Sequence, residues 1–234
     1  MSDTEHAGTD HSGNGTTLGE QILLLALDDT TGTAKQQPQA EYMISAAALL
    51  ELVLAGRVRL DEGQVVVQDA TPLGSAALDA PLARVAGQDK HEDAQKWIFA
   101  LRKEAYTAAR QGLLDKGLIR EEQRRVLGLF RTSRFPEADG SVEAALRRTL
   151  EEVVLEGREP DERTAALVVL LHHGGLHASA FPDADQASVK RRTAQIAESH
   201  WAEPALRQLA DSVLVALASF TTSTAVGIAL SNPS

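Results

Sequence analysis

A chain of 234 residues without a cysteine has no disulfide, no thiolate metal site and no cysteine nucleophile, and its length suits one large domain or two small ones. A net charge of −10 argues against a nucleic-acid binder, and 43% apolar residues with only 4% aromatics favour close-packed helices over a β-sandwich. The N-terminus shows neither a basic-then-apolar leader nor the arginines of a transit peptide, so a cytoplasmic protein is expected.

Residues 1–17 (MSDTEHAGTDHSGNGTT) are polar and lack an apolar period, which predicts a disordered tail ahead of a folded domain over 18–234. LGEQILLLALDD opens that domain as a helix with a strongly apolar run, and 30–40 reads as a loop carrying Gly32 and Pro38. Over 42–68 the chain spells helix, glycine stop, strand, turn, strand. Ile44, Ala48, Leu49, Leu52 and Val53 keep helical spacing, and Gly56 stands where a left-handed cap belongs. Val58 and Leu60 then alternate with polar residues, Asp61-Glu62-Gly63 turns, and Val65-Val66-Val67 returns.

A short helix is expected over 75–85, broken or re-entered at Pro81. A stronger one follows over 91–111, with Trp97, Ile98, Leu101 and Ala105 on one side and Gly112 as a kink in its continuation. The frame then repeats. Gly117 stops the helix, Leu118-Ile119 starts a strand, 120–125 turns, and 126–130 returns. Ser141 reads as an N-cap with Glu143 in the first turn, and that helix ends by Gly157. The segment 162–173 is apolar nearly all round and predicts a buried central helix, broken by Gly174-Gly175. An amphipathic helix over 187–202 and a last helix over 204–220 follow. The uncharged stretch 213–230 is interrupted by Thr221-Thr222-Ser223-Thr224, which favours a buried helix and apolar tail over a membrane span.

Chemistry-bearing patterns are few. His172, His173 and His177 lie in HHGGLH, where a metal pair would need His173 and His177 on one helix face. The two glycines interrupt that helix, so helix-end histidines are expected and no metal. There is no G-x-S-x-G, P-loop or G-x-G-x-x-G, so neither an enzyme nor a cofactor is expected. The distinctive feature is the second hairpin. Arg120, Arg124, Arg125, Arg131 and Arg134 flank Val126, Leu127, Leu129, Phe130 and Phe135, a composition suited to an anionic membrane surface. The same pattern also fits a hairpin packed on the core with its arginines in water.

Four segments, LGEQILLLALDD, ISAAALLELVLAGRVRL, WIFALRKEAY and LLDKGLIREEQRRVLGLFRTS, together with ERTAALVVLL and HASAF, resemble the Golgi phosphoprotein 3 family in its bacterial, actinobacterial-looking branch. The resemblance runs from about residue 18 to 220. It implies a single mainly α domain, a central helical bundle wrapped by amphipathic helices, with small β-hairpins. It also implies a peripheral membrane protein whose partner is an anionic phospholipid or phosphoinositide headgroup, as in relatives that bind phosphatidylinositol 4-phosphate. The headgroup positions it implies fall at Gln36, Ser45, Lys103 and Tyr106, with Arg102 beside them. Gln36 and Ser45 supply neither the large apolar surface nor the cation of the family's pocket, so loss of selectivity for the 4-phosphate is expected. The family's membrane and self-association hairpin maps onto 122–133, with Arg124, Arg125, Leu127, Leu129, Phe130 and Arg131 as contacts and homo-oligomerisation through it. The rival reading is a winged-helix-like transcription regulator. Its recognition helix would be 44–55, which has no basic residue and carries Glu51 against the phosphates.

Overall fold

Thr17 starts the fold. Its hydroxyl accepts from the Glu20 amide, and the Glu20 carboxylate accepts from the Thr17 amide. This reciprocal capping box sets the first turn of α1 (Leu18–Ala26). The computed structural model describes residues 15–28, 32–88, 92–126 and 130–199, with 124–126 and 130–132 described by backbone alone. Every residue of α1 is buried, so its apolar run forms the axis of the bundle. Thr16 and Thr17 are buried too, so the packed chain begins slightly ahead of the expected boundary at Leu18. Residues 1–14 of the expected tail lie outside the described residues.

α2 (Gln37–Leu54) packs across α1 and α4 and is buried without a break from residue 42 to 52. Small residues at Ala46, Ala47 and Ala48 allow close approach of its neighbours. The expected loop over 30–40 is shorter, ending at Gln36. Pro38 sits in the first turn of α2, where its missing amide has no helical partner to lose. Gly56 adopts φ +66 and ends the helix as its sequence predicts. β1 (Val58–Asp61) and β2 (Gln64–Val67) pair antiparallel from Val58↔Val67 to Asp61↔Gln64, with Val58 and Val65 turned into the core. This burial of α2 removes the winged-helix reading, since its recognition helix has no face left for DNA.

α3 (Ala76–Ala86) runs through Pro81 without interruption, contrary to the expected break. Pro81 is buried at mid-helix, so α3 forgoes the one backbone bond that Pro81 cannot donate to Ala77. α4 (Ala94–Asp115) lies against α2 and α3 and starts and ends later than 91–111. It passes through Gly112, which serves close approach rather than a chain break. The Glu20 carboxylate lies directly against Gly112, where a Cβ would collide with its Oε1. That oxygen accepts from Lys116 Nζ at 2.6 Å while the other accepts from the Thr17 amide at 2.7 Å. Gly112→Ala gains about 1 kcal/mol of helix propensity, but it displaces a fully buried carboxylate from both donors. A net loss of about 2 kcal/mol is expected in urea unfolding. A more stable variant would show that Glu20 moves aside freely.

The second hairpin differs from its sequence reading. β3 (Glu122–Val126) and β4 (Phe130–Arg134) pair from Glu122↔Arg134 to Val126↔Phe130. The polar run 120–125 therefore supplies most of a strand rather than the turn, and the reversal falls between 126 and 130. The side chains described at the start of this strand, Glu122 and Gln123, are exposed, and the ladder to β4 runs its whole length. Leu127 and Leu129, and the side chains of Arg124, Arg125, Phe130 and Arg131, lie outside the described residues.

α5 (Ser141–Val154) takes the expected cap, Ser141, as its first helical residue. Gly140 is the N-cap, and the Ser141 amide donates to Asp139 Oδ1. α6 (Glu162–His173) is buried from Ala165 to Leu171 and is capped by Asp161, as its apolar pattern predicts. α7 (His177–Ala180) and α8 (Gln186–Ser199) pack on its C-terminal half. The expected helix 204–220 lies outside the described residues. Among those described, eight helices and two hairpins form one mainly α domain around α1, α2, α4 and α6. No described helix is long and apolar enough to cross a membrane.

Candidate functional site

The stripe Phe99, Arg102, Tyr106, Arg110 runs along α4 at spacings of three, four and four, so one helix face presents all four. Phe99 is 55% exposed, a large apolar ring left in water. The Arg102 guanidinium carbon lies 4.2 Å above its centroid and 5.9 Å from that of Tyr42 on α2. Tyr42 and Phe99 are themselves 6.1 Å apart and tilted, so two helices supply one aromatic bed for Arg102. Arg102 Nη1 also donates to the Phe99 carbonyl, which fixes the plane of the guanidinium.

Two turns further on, the arrangement repeats. Arg110 lies 4.4 Å from the centroid of Phe135 and 6.0 Å from that of Tyr106. Phe135 follows β4 and is brought there by the loop before α2. The Phe135 amide donates to Gly32 O at 3.0 Å. Gly32 has φ +61, and a Cβ there would strike the backbone of Phe135 and Pro136, so glycine is required at this joint. Tyr106 is half-buried, and its hydroxyl pKa is raised, first by burial and also by Glu41, against the Arg110 charge. The phenol therefore stays neutral near pH 7 and can donate to an anion.

Arg102, Lys103 and Arg110 have no carboxylate within ion-pair distance among the described residues. Several other arginines are matched, Arg57 by Asp69, Arg147 by Glu143, Arg158 by Glu152 and Arg163 by Glu51, while Arg84, Arg148 and Arg192 also lack an ion pair among the described residues; what sets Arg102 and Arg110 apart is that each stacks on aromatic rings. Guanidiniums stacked on rings keep their edge N–H donors free, the geometry that takes phosphate oxygens. A groove of about 1430 Å³ between the C-terminal end of α2 and helices α3, α5 and α6 is a weaker candidate. Its cations Lys116, Arg158 and Arg163 are already held by Glu20, Glu152 and Glu51.

The residues expected at a headgroup site are placed unequally. Arg102 and Tyr106 belong to the stripe, and Lys103 is exposed beside it on α4. Gln36 is exposed at the N-cap of α2 with a left-handed φ of 50, its side chain making no cap bond. Ser45 is fully buried with its hydroxyl unpaired, so it offers no surface to a ligand. The reason is its place on α2, a helix covered on every side from residue 42 to 52. Tyr42, Phe99, Arg110 and Phe135 are not among the headgroup positions expected from the sequence, where Phe135 belongs to the second hairpin.

The fold, its two hairpins and the order of its segments agree with a match of the Golgi phosphoprotein 3 (GPP34) family model to residues 18–213. That match spans nearly the whole described domain, and the chain belongs to the Golgi phosphoprotein 3 family.

Proposed function

We propose that this protein is a peripheral membrane protein that binds anionic lipid headgroups on the α4 stripe, by binding and not by catalysis. The observation that carries the reading is the pair of ring-stacked arginines, Arg102 and Arg110, left without carboxylate partners in an acidic protein. Their open edges meet phosphate oxygens, Lys103 adds a third cation, and the exposed Phe99 ring enters the headgroup layer. Glu41 lies near Tyr106 and opposes a highly charged headgroup, which favours a phosphodiester over a phosphomonoester.

Two outcomes test it. Vesicles containing phosphatidylinositol sediment the protein at low salt and lose it at high salt, because each surface cation contributes about 1 kcal/mol and is screened. Equal sedimentation with neutral vesicles at both salts would mean apolar insertion alone, and no binding to either would leave a protein-scaffolding role. In a titration with short-chain lipids, phosphatidylinositol and phosphatidylinositol 4-phosphate bind within a few-fold of each other. A strong preference for the phosphorylated lipid, abolished in Lys103→Ala, would restore the family's ligand to this site.

A further inference from the structure

The histidines of HHGGLH are absorbed neither by the bundle core nor by the headgroup site. In the sequence the couple with helical spacing is His173 and His177, and Gly174-Gly175 interrupt the helix between them. The structure pairs a different couple. The break turns the chain so that His177, opening α7, faces back onto His172 in the last turn of α6. His172 Nδ1 and His177 Nε2 are 3.3 Å apart. Thr193 on α8 presents its hydroxyl oxygen to both, 2.9 Å from His172 Nδ1 and 3.3 Å from His177 Nε2. Thr193 is fully buried, while both histidines are half-exposed.

We propose that His172 Nδ1 and His177 Nε2 form a divalent transition-metal site, with Thr193 Oγ1 as a third, weaker donor and water completing the shell. Geometry carries the assignment. A nitrogen pair bound to tetrahedral zinc at about 2.0–2.1 Å per bond is separated by about 3.3–3.4 Å. The observed separation is that edge, and it lies beyond the usual range of a good hydrogen bond to nitrogen or oxygen. The three atoms make a triangle with sides of 2.9, 3.3 and 3.3 Å, close to one face of a tetrahedron. Thr193 also lies 3.1 Å from Lys190 O, to which its hydroxyl donates, so its lone pairs are turned to the two rings. Two imidazoles and a hydroxyl suit Zn2+ or Cu2+ rather than Mg2+ or Ca2+. Ligation needs a lone pair on both His172 Nδ1 and His177 Nε2, so the bound tautomers carry their protons on His172 Nε2 and His177 Nδ1, and two neutral rings bind without releasing a proton. No third His, Cys, Asp or Glu joins the pair among the described residues, which makes the site open and of modest affinity. Once occupied, it ties α8 to α6 and α7.

The test is titration of the full chain with Zn2+ alone by calorimetry, and with Cu2+ read by electron paramagnetic resonance. His6→Asn/His11→Asn serves as the parent, which removes the tail histidines. The parent is expected to take one Zn2+, to rise in melting temperature on binding, and to show two nitrogen ligands to Cu2+. His172→Asn and His177→Asn each lose the site, and Thr193→Val weakens it about tenfold while keeping the two-nitrogen signal. His177→Asn lies at the start of a short helix and serves as the check if His172→Asn fails to fold. A parent chain with no saturable binding up to millimolar Zn2+, or binding unchanged in the His177→Asn variant, would overturn the assignment.

Discussion

Replacing Arg102 and Arg110 together by glutamate is expected to reduce affinity for anionic vesicles close to a thousandfold. The two reversals change the surface charge by four units, and each unit near an anionic bilayer is worth about 1 kcal/mol, so the loss is about 4 kcal/mol. The effect is local. Arg148 on α5 and Arg191 on α8 are exposed, and reversing that pair gives the same net charge. If binding is set by the α4 stripe, the control keeps most of its affinity. If the control and the stripe variant lose affinity equally, the protein senses only total charge and the stripe is not a site. The stripe variant should fold, because neither arginine has a described carboxylate to lose and neither is buried. A further arm separates charge from stacking. Phe99→Ala leaves Arg102 its charge but removes the ring 4.2 Å beneath it. The expected loss is smaller, about 1 kcal/mol, with unchanged dependence on salt.

The helix–glycine–hairpin frame was legible because two glycines mark it. Gly56 and Gly117 both stand at positive φ, which few other residues adopt cheaply, and a strand or bridge follows each. The second hairpin was misread in detail for a physical reason. Its first strand, EQRRV, has no alternation of apolar and polar residues to mark it as a strand, and it opens on the exposed Glu122 and Gln123. Half of the site was legible and half was not. Tyr106 and Lys103 are positions that the family resemblance implies, with Arg102 beside them. The full stripe was available from the same letters, since Phe99 and Arg110 continue its helical spacing. Phe135 was not available, because tertiary contacts bring it under Arg110: the Gly32 carbonyl about a hundred residues back in the chain, and the bonds between residues 118–120 and the residues just after it. Ser45 is buried although the resemblance implies it as a headgroup position, because a resemblance in sequence fixes a place along α2 and not whether that place has an outward face.

The larger stability effect lies at Glu51. This carboxylate is almost fully buried near the end of α2. One oxygen accepts from the Leu18 amide at 3.0 Å, and the other pairs with Arg163 Nη1 at 2.8 Å. Arg163 Nη2 also donates to Thr16 O at 2.7 Å, so one carboxylate and one guanidinium pin the start of α1 to α2 and α6. Burial raises the Glu51 pKa above 4.5 in spite of the opposing pull of Arg163 and the Leu18 amide. The folded state therefore holds the Glu51 proton more tightly than the unfolded chain. Stability from that proton is full below the unfolded value and falls as pH rises through the interval up to the raised folded value. Arg163→Met removes the partner and leaves a buried charge at neutral pH. The expected cost is about 3 kcal/mol at pH 7 by urea unfolding. It shrinks on acidification to pH 5, because loss of Arg163 removes the charge that holds the carboxyl pKa down and so favours the uncharged, protonated form. The double variant Glu51→Gln/Arg163→Met has no charge to bury. Its amide still accepts from Leu18, and it should recover to within about 1 kcal/mol of the native chain. A deficit in Arg163→Met that is the same at both pH values, and that the second substitution does not relieve, would place the cost in lost packing and in the Thr16 contact instead of in the stranded charge.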